Sequence, residues 1–541
     1  MDNGTCGSEI TAWLSASCEA SGPVSATATT TPEAKEVTVP ASQQPAASFG
    51  AIGRQAAFYA LGTIIGRAIS FVTLPFYTRL LTPAEYGVIQ LVLMTFELVA
   101  MVAGSRLATG VFRFYHKAEG EKGRYAVLST ATLLISGGYF VAAAVAAIFA
   151  EQLSRLVFET AEWAPLLRLA SLSFLAQGLL IVPNISFRAF NQPVLYVSRG
   201  ISQQLLQALL NILFLTVFGM GVYSVFASGA IVVGLYGVVL SVMLLRRTGV
   251  RFEPGVARDL IRFGTPMIAT QFAVFLMTLG GRYALQHDSG STAVGLYALA
   301  GTFATILVQF GNTPFMLVWE SERFKVAENP NRDAIYARAF LTLNFLLFTV
   351  AVAIGLLVHD FLRVMATPAY APAAALVPIM LAAYILQCWT MAQDVGILLT
   401  ERTRYVAIAN WLASGLAVAG FFILIPRYGA FGAAWATCAA FALRWALIYH
   451  FSQKLEFVQY RWAPVMKLAV AASIVVGVGY SLPGLPLALS LAAAATLFAA
   501  FLAFAWYGRV LAEAERAAIA ALMSKLGSAV ADATKFARNR A

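Results

Sequence analysis

Apolar segments long enough to cross a bilayer recur along this chain, with only short polar breaks between them. The stretch from Arg54 to Gly87 shows the pattern: RQAAFYALGTIIGRAISFVTLPFYTRLLTPAEYG. About 24 mostly apolar residues follow Arg54, enough helix at 1.5 Å per residue to cross a hydrocarbon core of roughly 30 Å. Thr82-Pro83-Ala84-Glu85 then reads as a helix start, with Thr82 as N-cap, Pro83 at the first helical position and Glu85 closing a capping box. The first span therefore ends near Arg79 and the second opens at Pro83. Arg67 stands in the middle of the first.

Extending this reading predicts an all-α integral membrane protein with about fourteen spans. They lie near 55–79, 84–112, 124–149, 163–189, 194–218, 222–245, 260–283, 293–319, 336–358, 372–399, 405–426, 430–451, 463–482 and 485–507. Only 12% of the residues are charged, about half the share in a soluble globular chain. The net charge of +11 does not point to nucleic acid, because the basic residues sit in short loops. With the N-terminus in the cytoplasm, the inward loops carry twenty Lys and Arg and the outward loops five (Arg79, Arg155, Arg282, Arg363, Arg427). That asymmetry places both termini inside. Residues 1–50, rich in Ala, Ser, Thr and Pro, read as a disordered cytoplasmic tail without a signal-peptide core. Residues 509–541 alternate small apolar and charged residues and read as an amphipathic helix on the inner surface.

The chain also repeats with an offset near 208 residues. Arg54 corresponds to Arg262, Gly87 to Gly295, Gly221 to Gly429 and Arg246 to Lys454; Pro165 lies opposite Pro372. Six spans per unit is an even number, so both halves run in the same sense. Their pseudo-twofold axis then lies along the membrane normal, with a cavity between the halves. The predicted division is an N-terminal six-helix lobe over 51–250, a C-terminal one over 251–455, and two added helices over 456–508.

Charges at mid-membrane cost about 2.5–3.5 kcal/mol each on insertion scales, so each calls for a partner or a wet cavity. Arg67 is the deepest cation and its repeat counterpart is Phe275; Glu97 is the deepest anion. The two form either an ion pair between adjacent helices or a cavity cation with an ion-coupling carboxylate. Arg444 either snorkels or faces a cavity. Asp394 either caps or pairs locally, or takes part in coupling. Arg282, after Gly280-Gly281, is placed at the outer end of the seventh span, to meet an anionic head group or lipid phosphate. Gly311-Asn312-Thr313-Pro314 predicts a kink. Pro183-Asn184 and Gly264-Thr265-Pro266 mark further breaks or hinges, and Gly62 with Gly66 allows close helix approach.

Several chemistries have no signature here. There is no Walker A loop, HExxH, CxxC pair or GxSxG. The four cysteines lack metal or disulfide spacing, and His116, His287, His359 and His450 are scattered. No metal site or cofactor is expected, and no outward loop is long enough to carry the catalytic residues of a polysaccharide polymerase or ligase.

Two segments carry a resemblance. LPFYTRLLTPAEYGVIQLVLM (Leu74–Met94) and GGRYALQHDSGSTAVGLYALA (Gly280–Ala300) resemble the Wzx-like polysaccharide flippases of the multidrug/oligosaccharidyl-lipid/polysaccharide exporter superfamily. The likeness extends over roughly residues 52–510. It departs from the family in the long polar N-terminal tail and in Gly281, where an acidic residue often stands. It implies two six-helix lobes around a V-shaped cavity, two further helices and no catalysis. The implied substrate is an undecaprenyl-pyrophosphate-linked oligosaccharide, moved across the bacterial inner membrane by alternating access coupled to protons or sodium. The implied setting includes polysaccharide polymerase and export proteins. Arg67 matches the cationic-cavity role, with Arg444 and Arg282 as further cavity cations and Glu97 and Asp394 as coupling carboxylates. The rival readings are a multidrug/cation antiporter, a peptidoglycan-precursor flippase and, from another class, a membrane polymerase or ligase.

Overall fold

The computed structural model describes Gly66, Ile69 and residues 72–482 and 484–508. Arg67, Gly62, the predicted N-terminal tail and the predicted amphipathic segment over 509–541 lie outside the described residues. Every regular element among the described residues is a helix. In chain order they are α1 (72–80), α2 (Pro83–Lys117), α3 (Gly120–Ile148), α4 (Ala150–Phe158), α5 (Ala164–Ala189), α6 (Pro193–Thr216), α7 (Tyr223–Thr248), α8 (Pro254–Val326), α9 (Arg332–Met365), α10 (Ala373–Leu399), α11 (Arg404–Leu455), α12 (Trp462–Tyr480) and α13 (Leu487–Tyr507). A single 3₁₀ turn, Pro368–Tyr370, precedes α10.

Ten of these helices are long and apolar enough to cross a membrane. Large apolar side chains such as Ile148, Leu156 and Phe422 are exposed, as on a surface that meets lipid. The protein is a multi-pass membrane protein. At 73 and 52 residues, α8 and α11 would measure about 110 and 80 Å if straight, far beyond a core of about 30 Å. Each is interrupted by a non-helical glycine, Gly290 (φ 74°, ψ 178°) in α8 and Gly429 (φ 55°, ψ −129°) in α11. The amphipathic α4 and the extension of the seventh span through residue 289 were not predicted.

The turn between α1 and α2 forms as its residue types require. Thr82 Oγ1 accepts from the Glu85 amide at 3.2 Å, and the Glu85 carboxylate accepts from the Thr82 amide at 2.8 Å. The same corner is tied to the far half of the chain. Thr78 Oγ1 donates to the Met365 carbonyl at 2.8 Å, Arg79 Nη2 to the Val364 carbonyl at 2.6 Å, and the buried Tyr370 hydroxyl to the Leu81 carbonyl at 3.1 Å.

Within the first half, α5 packs against α3 and α7; within the second, α8 packs against α11 and α10. The main contact between halves is α2 on α8. Its centre is a pair of glycines. A Cβ on Gly87 would overlap the Ser291 carbonyl oxygen and lie 3.0 Å from the Gly295 amide nitrogen. A Cβ on Gly295 would overlap the Pro83 carbonyl oxygen and lie 3.2 Å from the Gly87 nitrogen. Pro83 and Ser291, like Gly87 and Gly295, are 208 positions apart, so the contact maps onto itself when the repeats are exchanged. This is the self-complementary geometry of a twofold interface, built inside one chain with small residues at its centre.

Further features recur at an offset of 207 or 208 residues. A π-helical turn occurs at Met101–Ser105 in α2 and at Val308–Asn312 in α8. Gly221 (φ 51°) and Gly429 (φ 55°) both open a helix. The kink predicted at Gly311–Pro314 is the second of these π turns, with Thr313-Pro314 opening the following segment. Helix α5 runs through Pro183-Asn184, and α8 through Pro266, with helical dihedrals, so neither is a break. The non-helical point in α2 is instead Gly104 (φ 123°).

Valine at Gly87 or at Gly295 should prevent the halves from closing on each other. Each variant is expected to give little monodisperse protein in detergent size-exclusion chromatography. Gly415→Ala, at a helical site with open space around it, should elute as wild type.

Candidate functional site

A cavity of about 590 Å³ lies where α1, α2 and the second half of α8 meet. Tyr77 and Leu74 of α1, Tyr86 and Gln90 of α2, and Thr302 and Gln309 of α8 are among its lining residues. Helical spacing explains why α2 presents Tyr86 and Gln90 together: residues four apart lie on one face.

Behind this wall stands Arg282. Its Nη1 donates to Gln90 Oε1 at 3.1 Å, and its Nε is buried without a hydrogen-bond partner. Gly301 leaves room for Nη2, which lies 3.9 Å from where a Cβ would stand. Tyr86, Tyr297 and Tyr384 are near enough to feel its charge. Tyr297 in turn shares a hydrogen bond of 2.9 Å with Thr437. Among the described residues no carboxylate pairs with Arg282. The sequence placed this arginine at the outer end of a span that stops near 283. The helix continues to Gly290, which moves Arg282 two turns inward, about 12 Å at 1.5 Å per residue. The guanidinium thus sits between helices behind the cavity wall, one hydrogen bond from it through Gln90. Such a group, held only by an amide, has spare donors for an anionic ligand.

The other predicted residues fall into separate places. Glu97 is exposed on α2, two turns beyond Gln90 on the same helical face, and makes no ion pair among the described residues. Its predicted partner Arg67 lies outside the described residues. Asp394 is the junction residue inside α10 and pairs with Arg323 of α8 at 3.0 Å, with both side chains largely buried. That partner is 71 positions away, so the pairing is not local. Arg444 donates from Nε to Asn410 Oδ1 at 2.7 Å and lies within electrostatic range of Asp394. These charges belong to a polar girdle in the second half, away from the cavity lining. There Trp445 Nε1 donates to Gln393 Oε1 at 2.7 Å and Trp389 Nε1 to Asn344 Oδ1 at 2.6 Å. Asn312 ends the π turn with its Oδ1 buried and unpartnered.

Sequence reasoning missed Tyr86 and Gln90, which belong to no charged or motif class. Gln90 was accessible in principle, as a lone amide in an apolar run.

With this geometry in view, comparisons with known proteins are informative. Residues 52–319 match the family model described as polysaccharide biosynthesis protein. That match spans just under half of the chain. A succinoglycan biosynthesis transport protein, ExoT, of Rhizobium meliloti (strain 1021) is 28% identical over 247 residues. That match spans 44% of this chain and 47% of the relative, so the chain covers about half of the relative's length. Among solved structures, the lipid II flippase MurJ in an inward closed conformation superposes with a TM-score of 0.67 at 14% identity, over 85% of this chain and all of that one. The multidrug transporter DinF-BH superposes with a TM-score of 0.51 at 16% identity, over 76% of this chain and 98% of that one. At these identities the likeness is one of fold: the all-helical architecture shared by flippases and multidrug exporters.

The Asp394–Arg323 pair is open to a direct test. Arg323→Ala leaves a buried carboxylate unpaired and should destabilise the protein by on the order of 3 kcal/mol. Combining Arg323→Met with Asp394→Leu should restore most of that loss, read as the thermal midpoint in detergent.

Proposed function

We propose that this protein is a flippase for lipid-linked oligosaccharides, the repeat units of a bacterial polysaccharide. The observation that carries the reading is Arg282: a guanidinium between α2 and α8, free of any acidic partner among the described residues, bonded to Gln90, which lines a cavity between the two halves. A pyrophosphate offers the paired oxygens that a guanidinium fork matches, and low surrounding dielectric strengthens those bonds. The match of residues 52–319 to a polysaccharide biosynthesis family supports the same substrate class. So does the similarity to a succinoglycan transport protein.

In this reading the chain crosses the inner membrane fourteen times with both termini in the cytoplasm, as the loop charges require. Its lobes are 51–250 and 251–455, and 456–508 are added helices. Residues 1–50 form a cytoplasmic tail and 509–541 a surface helix. Movement is alternating access of one half against the other about the Gly87–Gly295 crossing, and no bond is made or broken. Arg67 joins Arg282 as a cavity cation. Arg444, held by Asn410 beside Asp394, serves the polar girdle first. Of the two coupling candidates Glu97 is favoured, because Asp394 must first release Arg323 before it can take up a proton or sodium ion. The π turn at Val308–Asn312, next to Pro314, is the favoured hinge over Pro183, Asn184 and Pro266, where the helices stay intact.

The test is made in a strain lacking the gene. Lipid-linked sugars should accumulate on the inner leaflet, and wild-type protein should clear them. Arg282→Ala, present at equal level in the membrane, should lower polymer output about tenfold or more, equal to a loss of at least 1.4 kcal/mol. Arg282→Lys should recover part of it, keeping the charge and losing the fork. Full output from the alanine variant contradicts the assigned role.

A further inference from the structure

A second cavity, of about 390 Å³, lies among α3, α5, α6 and α7 of the first half. Its lining is unlike that of the central cavity. Among the described residues, five amides face it (Gln177 and Asn184 from α5; Gln203, Gln204 and Gln207 from α6), with the guanidinium of Arg199. No carboxylate lines it among the described residues.

Helical spacing produces this wall. Arg199, Gln203 and Gln207 recur every four residues and form one stripe along α6; Gln177 and Asn184, seven apart, form the facing stripe on α5. These amides lower the hydropathy of α6, which is absent from the ten apolar spans although it is 24 residues long. Polar side chains within a membrane bundle face its interior or a wet cavity and mark ligand paths. Several here have spare hydrogen-bonding capacity. Arg199 Nη1 donates to Gln203 Oε1 at 2.6 Å, while its Nε is buried and unpartnered, as is Asn184 Oδ1.

The stripe does not stop at this pocket. One turn beyond Gln207, Asn211 donates to the Tyr77 hydroxyl at 2.5 Å, and Tyr77 lines the central cavity near Arg282. A single polar track therefore leads from the amide pocket to the larger cavity, behind which Arg282 stands.

We propose that the amide pocket is the subsite for the sugar portion of the ligand, with the charged portion held at Arg282. The proposal rests on the flippase reading above and extends it. A primary amide offers two donors and an acceptor on one planar group. That complements neighbouring hydroxyls, each of which is both donor and acceptor. Without a carboxylate the pocket is ill-suited to coupling cations. Its guanidinium is held by Gln203 as Arg282 is by Gln90, and its remaining donors suit hydroxyl or acidic groups on a sugar. Its polar walls disfavour a lipid tail or an apolar drug. The volume falls within the roughly 300–1,000 Å³ of small-molecule sites.

The experiment uses the full chain in lipid nanodiscs and two probes. One is undecaprenyl pyrophosphate; the other is the lipid-linked oligosaccharide pool extracted from the strain lacking the gene. Wild type should bind the sugar-bearing lipid about tenfold tighter than bare undecaprenyl pyrophosphate. Gln203→Leu combined with Gln207→Leu should erase most of that preference and leave the Kd for undecaprenyl pyrophosphate unchanged. Gln177→Ala combined with Asn184→Ala, on the opposite wall, should do the same, which guards against one pair failing to fold. Equal wild-type affinity for both probes overturns the proposal while leaving the flippase reading in place. Preference retained in both folded double variants overturns it equally. Failure of both probes to bind wild type removes the lipid-linked reading and this subsite with it.

Discussion

The two halves of this protein meet through a backbone contact that tolerates no side chain. Gly87 and Gly295 bring α2 and α8 together closely enough that the carbonyls of Pro83 and Ser291 occupy the space of the missing methyl groups. In lipid there is no hydrophobic drive to press helices together, so such close packing is what holds them. The cavity lined by Tyr86, Gln90 and Thr302 forms from the same two helices just beyond this crossing. The Thr82–Glu85 capping box sets where α2 begins and hence which turn carries Gly87. Helix start, crossing and cavity are therefore one arrangement, anchored a second time where Thr78, Arg79 and Leu81 bond to residues 364–370.

Much of this was legible in the sequence, for physical reasons. Apolar runs are direct records of the bilayer. The capping box at Thr82 uses local chemistry, and the structure reproduces it. The 208-residue offset linked Gly87 with Gly295 before any contact was known, and the pair turns out to touch. Other features depend on tertiary context. Pro183 and Pro266 looked like breaks, yet their helices absorb them, while Gly104 produces a non-helical turn that sequence reading passed over. Arg282 was placed at a helix end, after Gly280-Gly281; the helix instead continues through His287-Asp288-Ser289 to Gly290. The amides of α5 and α6 carried no charge and no motif, so only their convergence on one pocket exposes them.

The charged groups divide by how their burial is compensated. Asp394 and Arg323 neutralise each other within a polar, Trp-rich girdle, the arrangement expected of a pair that holds structure together. Arg282 is met by an amide and by tyrosines, which stabilise a cation weakly compared with a carboxylate. That imbalance, beside the cavity between α2 and α8, is the electrostatic ground for assigning it an anionic ligand.

The most direct measurement is transbilayer movement in proteoliposomes holding only the purified full-length chain and lipid-linked oligosaccharide in one leaflet. The account predicts that the sugars become accessible on the opposite face at a rate proportional to the amount of protein, with the lipid-linked molecule chemically unchanged. Accessibility no faster than in protein-free liposomes, with an imposed proton or sodium gradient of either sign, would contradict it.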